Sequence, residues 1–165
     1  MTWYDPFLAW LRHGRLNAGS QLLELAQRRF GRSLTDAERN VLQLSISSED
    51  LPSPDEDALC PEVDYPADTP RSEVRAAFLC WLASDAEARR LLHSKGIRVY
   101  STTITGNLDL GEQIAVPGID IRRSTVNGRL ILEASEIRSL NITDCLLDAG
   151  IEADGVTVRG PVFLH

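Results

Sequence analysis

Residues 104–110 read ITGNLDL, residues 126–132 read VNGRLIL and residues 158–164 read VRGPVFL. Each phrase is an apolar residue, a turn containing glycine, and an apolar-x-apolar pair. Weaker copies hold the same phase between them. The pairs are Leu108/Leu110, Ile119/Ile121, Leu130/Leu132, Leu140/Ile142, Ile151/Ala153 and Val162/Leu164, and their starts lie 11, 11, 10, 11 and 11 residues apart. Within a pair the period is two, so both side chains share one face of a very short strand and the residue between them points outward. Those outward residues are Asp109, Asp120, Ile131, Asn141, Glu152 and Phe163. A strand this short cannot bury enough surface to stand alone, whereas stacked copies cover one another, which predicts a β-solenoid. Gly106, Gly118, Gly128, Gly150 and Gly160 are expected at its corners. Ser139 stands in their place in the ten-residue copy, which predicts a local adjustment in that rung.

A helical reading of this stretch fails because Thr, Val and Ile are abundant and glycine recurs within every candidate segment. An ordinary sandwich fits less well, since its strands are usually longer and less evenly spaced. The run from Val74 to His165, with VRAAFLCWL followed by KGIRVYSTTITGNLDL, resembles the pentapeptide-repeat-like, right-handed β-helix proteins of bacteria. It resembles in particular a group sometimes labelled membrane-associated oxidoreductases. The resemblance implies a square coil whose central residues are Leu108, Ile119, Leu130, Leu140, Ile151 and Val162. Two copies make one coil, so the chain is expected to hold about three.

The rest of the chain follows other rules. Residues 1–46 predict a helical region. Trp3, Phe7, Leu8, Trp10 and Leu11 suggest a short aromatic helix, and Leu22, Leu23, Leu25, Ala26 and Phe30 a second one, capped by Asn17 or Ser20 and ended by Gly31. Thr35 and Glu38 form the pattern of a capping box before Val41, Leu42 and Leu44. Residues 47–70 are acidic and rich in proline and read as a linker, with Leu59, Val63 or Tyr65 as candidate anchors. Residues 71–96 predict a helical cap on the solenoid, entered at Thr69 and Pro70, with the stripe Val74, Ala77, Phe78, Trp81 and Leu82. Asp85 is expected to cap a following turn that Gly96 ends. Residues 97–165 are the β-helical repeat. The fold class is therefore α+β by content, a helical head on a short β-helix.

The formal net charge is −7. Residues 49–75 hold nine acidic and two basic side chains, and residues 97–165 hold nine and six. This balance argues against direct nucleic-acid binding, which needs a basic footprint. An acidic DNA-mimic inhibitor of a DNA-binding enzyme is one alternative function. Three scattered cysteines, Cys60, Cys80 and Cys145, and no signal-peptide pattern or apolar run of membrane-spanning length point to a reducing cytoplasm.

Chemistry is hard to find in the pattern. His13, His93 and His165 have no partner at a metal-ligand spacing, and Cys80 and His93 have no context that makes them a catalytic pair. GNLDLG is neither a dinucleotide fingerprint nor a phosphate loop. No catalytic, cofactor or metal residue is assigned. Outward Asp109 and Asp120 leave one enzymatic alternative, a hydrolase using carboxylates on the solenoid faces. The leading reading is a noncatalytic scaffold or protein-interaction module. Val162, Phe163, Leu164 and His165 end the sequence on an apolar pair with no polar capping segment, so a second copy, a protein partner or further repeats of a longer polypeptide are expected to cover them. With Ile131, these four residues are the expected interface.

Overall fold

The computed structural model describes residues 6–31, 33–51 and 72–165, with side chains described from residue 18 onward within those ranges. Trp3, Cys60, the anchors Leu59, Val63 and Tyr65, and the Thr69–Pro70 cap lie outside the described residues.

Helix α1 (Pro6–Phe30) runs unbroken, so the two expected amino-terminal helices are one. Gly14, Asn17 and Gly19 lower its helix propensity without interrupting the backbone ladder, and Asn17 and Ser20 are interior residues instead of caps. Gly31, at φ +75°, takes the chain out of it. Thr35 begins α2 (Asp36–Ile46) with the expected reciprocal capping box, and Val41 and Leu42 are buried against the core.

The next described element corrects the expected cap. Val74 belongs to a strand, β1 (Glu73–Arg75), and helix α3 (Ala76–Ser84) begins only after it. Phe78, Leu79, Trp81, Leu82 and Ala83 are buried and Ala77 is exposed, so this short helix is covered on most sides. Asp85 Oδ1 accepts from the amides of Glu87 and Ala88 and starts α4 (Ala86–Leu91), as its position in the sequence predicts. Gly96 does not end that helix. Its φ of +85° turns the chain into the first coil, where an added Cβ would lie 2.0 Å from the Gly118 carbonyl oxygen.

From Ile97 onward the chain winds about three times through four walls. The first wall stacks β2 (Ile97–Tyr100), β5 (Ile119–Arg122), β9 (Leu140–Thr143) and β13 (Val162–Leu164). The second carries β1, β3 (Thr103–Thr105), β6 (Thr125–Asn127) and β10 (Leu146–Leu147). The third carries β4 (Leu108–Asp109), β7 (Leu130–Ile131) and β11 (Ile151–Glu152), and the fourth β8 (Glu136–Ile137) and β12 (Thr157–Val158). All pairings between these strands are parallel. The register aligns inward columns such as Ile97–Ile119–Leu140–Val162 and Val74–Ile104–Val126–Leu147. Stacking like on like buries a continuous core that no single rung could supply.

The register also corrects the reading of the ten-residue copy. Val116, Ile137 and Val158 align in the fourth wall. Leu108 precedes Val116 by eight residues, while Leu130 precedes Ile137 and Ile151 precedes Val158 by seven. The rung with Ser139 is thus the tight form. The first coil carries an extra residue near Ile114, which stands 74% exposed, and the third carries one near Pro161. Ser139 keeps the role of Gly118, because its carbonyl accepts from Ile119 as that of Gly118 accepts from Ile97. Pro161, and not Gly160, is the third member of that set, accepting from Leu140.

Candidate interaction surface

The two ends of the stack differ. At the first coil, α2 lies against β2: the Arg98 amide donates to Ser45 Oγ at 3.1 Å, and the His93 amide donates to the Ser45 carbonyl at 2.8 Å. The Arg98 side chain, 1% exposed, donates through Nη1 to the carbonyls of Leu44 and Ser47, at 3.2 and 3.4 Å. A cation against the last carbonyls of α2 is favoured by the helix dipole, while burial pushes this guanidinium below its ordinary pKa. Strand β1 covers β3, and the Cys80 thiol on α3 donates to the Asp109 carbonyl of β4 at 3.2 Å. Helix and strand together close this end.

Among the described residues nothing covers the other end. Strands β10, β11, β12 and β13 are each the last in their wall. Their inward residues have a coil on one side only. Val162 is 49% exposed and Leu164 56%, although their column-mates Leu140 and Ile142 are buried. Ile151 sits at 36% beneath fully buried Leu130. Phe163 points outward at 52%, at the foot of a row that runs Arg98, Asp120, Asn141, Phe163. His165 is exposed beside them, its carbonyl accepting from the Asp144 amide at 3.1 Å.

The structure therefore gathers Val162, Phe163, Leu164 and His165 on one edge and leaves Ile131 elsewhere. Ile131 is half-buried in the middle of the third wall, between Asp109 and Glu152. Leu146, 62% exposed at the bottom of the second wall, belongs to the open end and was not singled out from the sequence. The adjacent pair Leu146–Leu147 held the signal, since in a strand one of two neighbours must point outward.

Asp109 and Asp120 are not a pair. Asp109 is on the third wall and Asp120 on the first. Asp120 is held by Arg122 at 2.8 and 3.1 Å and accepts from Asn141 Nδ2 at 3.0 Å, while Thr143 Oγ1 donates to Asn141 Oδ1 at 2.7 Å. This is a closed polar ladder. Asp109 Oδ1 accepts from the Gly111 amide at 3.0 Å and borders a groove of about 550 Å³ between α3 and the third wall, with Arg29, Cys80, Trp81 and Asn107. Burial pushes the Cys80 thiol above its ordinary pKa, which keeps it protonated and poorly nucleophilic. Among the described residues no group of three or more His, Cys, Asp or Glu is arranged to hold a metal ion, and no helix is long and apolar enough to cross a membrane. No family model matches the chain, and neither a curated protein nor a solved structure matches it.

Proposed function

We propose that this chain is a noncatalytic protein-interaction scaffold, a short right-handed β-helix of the pentapeptide-repeat-like kind that docks polypeptide on its open carboxyl-terminal coil. One observation carries the reading: among the described residues helices and β1 cover the first coil, while β10, β11, β12 and β13, the last strand of each wall, keep an edge with no partner, and Val162, Phe163 and Leu164 of β13 are half-exposed. Unpaired strand edges beside half-exposed apolar side chains are templates for an added strand. The parallel crossovers favour the right-handed winding. The closed ladder at Asp120 supports a structural role for that carboxylate.

The test is a selection of displayed random peptides against the chain and, in parallel, against Leu164→Asp. Enriched sequences should alternate apolar residues and should lose binding to the variant. Peptides without that pattern, or equal capture by both proteins, would remove the open coil as the docking surface. Light scattering of the chain and of Phe163→Asp runs beside it. An assembly that only the variant dissolves makes a second copy the occupant.

A further inference from the structure

We infer that the cavity between α4 and the fourth wall of the solenoid is a binding site for a small phosphate monoester. The cavity holds about 340 Å³ and is lined by Arg89, Arg90, His93 and Arg138, with Leu92 and Pro117 among its apolar residues. Pro117 and Arg138 come together there because Val116 and Ile137, the residues before them, are in register. Among the described residues no carboxylate lines the cavity. On a chain of net charge −7, a concavity with three guanidiniums and no acid is a local reversal of sign. Such a cleft concentrates the positive field between walls of low dielectric and draws in an anion.

Two of the guanidiniums are anchored without being neutralised. Half-buried Arg89 donates from Nη2 to the Ala115 carbonyl at 2.5 Å, and Arg138 donates from Nη1 to the Ser94 carbonyl at 3.1 Å. Both acceptors are uncharged, and each bond uses one nitrogen of a fork that carries five N–H groups. Nearby cations differ in this respect. Lys95 is paired with Asp50 and Arg159 with Glu136, whereas Arg89, Arg90 and Arg138 make no ion pair among the described residues. Arg90 stands at the rim, since it also borders a neighbouring cavity lined by Glu24 and Glu87. His93 Nδ1 accepts from the Lys95 amide at 3.3 Å, which puts the proton of a neutral ring on Nε2. In either protonation state the ring brings no negative charge to the site.

The class of anion follows from the donors. A carboxylate is planar and one guanidinium fork satisfies it. A phosphate monoester presents three terminal oxygens in a tetrahedral arrangement and carries nearly two charges at neutral pH, so it can take forks from two elements together, here α4 and the fourth wall. Leu92 and Pro117 offer an apolar surface to the carbon body of the ester, and the volume is that of a small-molecule site.

The test is isothermal titration calorimetry with phenyl phosphate, inorganic phosphate and benzoate. Phenyl phosphate should bind about tenfold more tightly than inorganic phosphate, because the ring adds apolar contact. It should also bind about tenfold more tightly than benzoate, which keeps the ring and loses the tetrahedral dianion. Arg138→Gln should weaken phenyl phosphate about tenfold, and Arg90→Gln, at the rim, about threefold. Arg129→Gln, an exposed position on the third wall, should change it by less than about twofold. Arg90, Arg129 and Arg138 are all exposed, and a melting curve for each variant verifies that it is folded.

Equal binding of benzoate and phenyl phosphate would overturn the phosphate assignment. No binding of phenyl phosphate, or binding that Arg138→Gln leaves intact, would overturn the site. So would an Arg129→Gln loss as large as that of Arg138→Gln, which would mean diffuse attraction to any positive surface. A phosphoserine peptide or a short DNA strand that binds more tightly than phenyl phosphate would give the cavity to a macromolecule and overturn the small-molecule reading. Leu164→Asp, which removes docking on the last coil, should bind phenyl phosphate as the parent does, so the two proposals fail separately.

Discussion

Glycines that look alike in the repeat are held by different constraints. Gly96, Gly106, Gly128 and Gly150 all have positive φ, but a Cβ on Gly96 would meet the Gly118 carbonyl oxygen at 2.0 Å, while one on Gly150 meets nothing within 4 Å. Gly150→Ala should therefore cost only the left-handed backbone strain, about 1 kcal/mol. Gly96→Ala must also push two coils apart, and we expect a loss of about 3 kcal/mol or more. Chemical denaturation of the two variants checks this, and equal losses would show that the close approach is not limiting. The sequence made the corner glycines visible through their period. It did not reveal the corners turned without glycine. Ser101, Arg123 and Asp144, at φ between 51° and 53°, occupy equivalent positions between the first and second walls. No residue type announces that conformation, because the stacked neighbours impose it. Buried Thr102 and Ser124 next to those corners were hidden for the same reason. Ser124 Oγ accepts from the Thr102 amide at 3.3 Å and donates to the Arg122 carbonyl at 2.8 Å, so a hydroxyl serves inside the coil where a polar residue alone suggests the surface.

The elements of the head are joined by one buried carboxylate. Glu38 closes the capping box of α2 by accepting from the Thr35 amide at 3.1 Å, and it also receives Arg75 Nε at 2.6 Å and Nη2 at 2.8 Å. Arg75 in turn lies 5.1 Å from the centre of the Phe30 ring, so α1, α2 and β1 meet at this pair. Burial alone would raise the Glu38 pKa, but the Arg75 hydrogen bonds, the Thr35 amide and the Arg75 charge outweigh it and hold the carboxyl below its ordinary value. A carboxylate lowered in the folded state stabilises above its unfolded pKa, about 4.3, and that contribution is lost as pH falls through the folded value. Glu38→Gln should cost about 2 kcal/mol at neutral pH, since Arg75 keeps some water contact. Below the folded pKa the gap between parent and variant should narrow. Urea unfolding across that range tests the sign, and a gap that stays constant would show that the carboxylate's ionisation plays no part. The capping box was legible because its four residues are local. The strand identity of Val74 was not, because its apolar spacing suits a helix and only pairing with Ile104 across the coil makes it a strand.

Across the whole molecule, stability should fall along the solenoid axis in one direction. In a stack of repeats each rung is held mainly by its neighbours, so an end rung lacks one interface and frays first. Strands β2 and β13 are both edges of the first wall, and a symmetric stack would loosen both. Here α2 covers β2, with Ser45 bonding the Arg98 amide and Arg98 fixed on the α2 carbonyls, whereas the other edge of β13 has no partner among the described residues. Amide hydrogen exchange should find β2 and β5 opening only with global unfolding. In β9 and β13 the amides should open at free energies lower by about 2 to 3 kcal/mol, a hundredfold or so in exchange rate. Equal protection at both edges in a chain shown to be monomeric would contradict the one-sided cap. The gradient also connects fold to function, because an added strand that pairs with β13 supplies the missing interface. Binding should therefore raise protection first at Val162–Leu164 and then at Leu140–Thr143, spreading inward through the column contacts. A partner that instead settled in the groove beside Cys80 and Asp109 would protect Leu108–Asp109 and leave β13 exchanging as before.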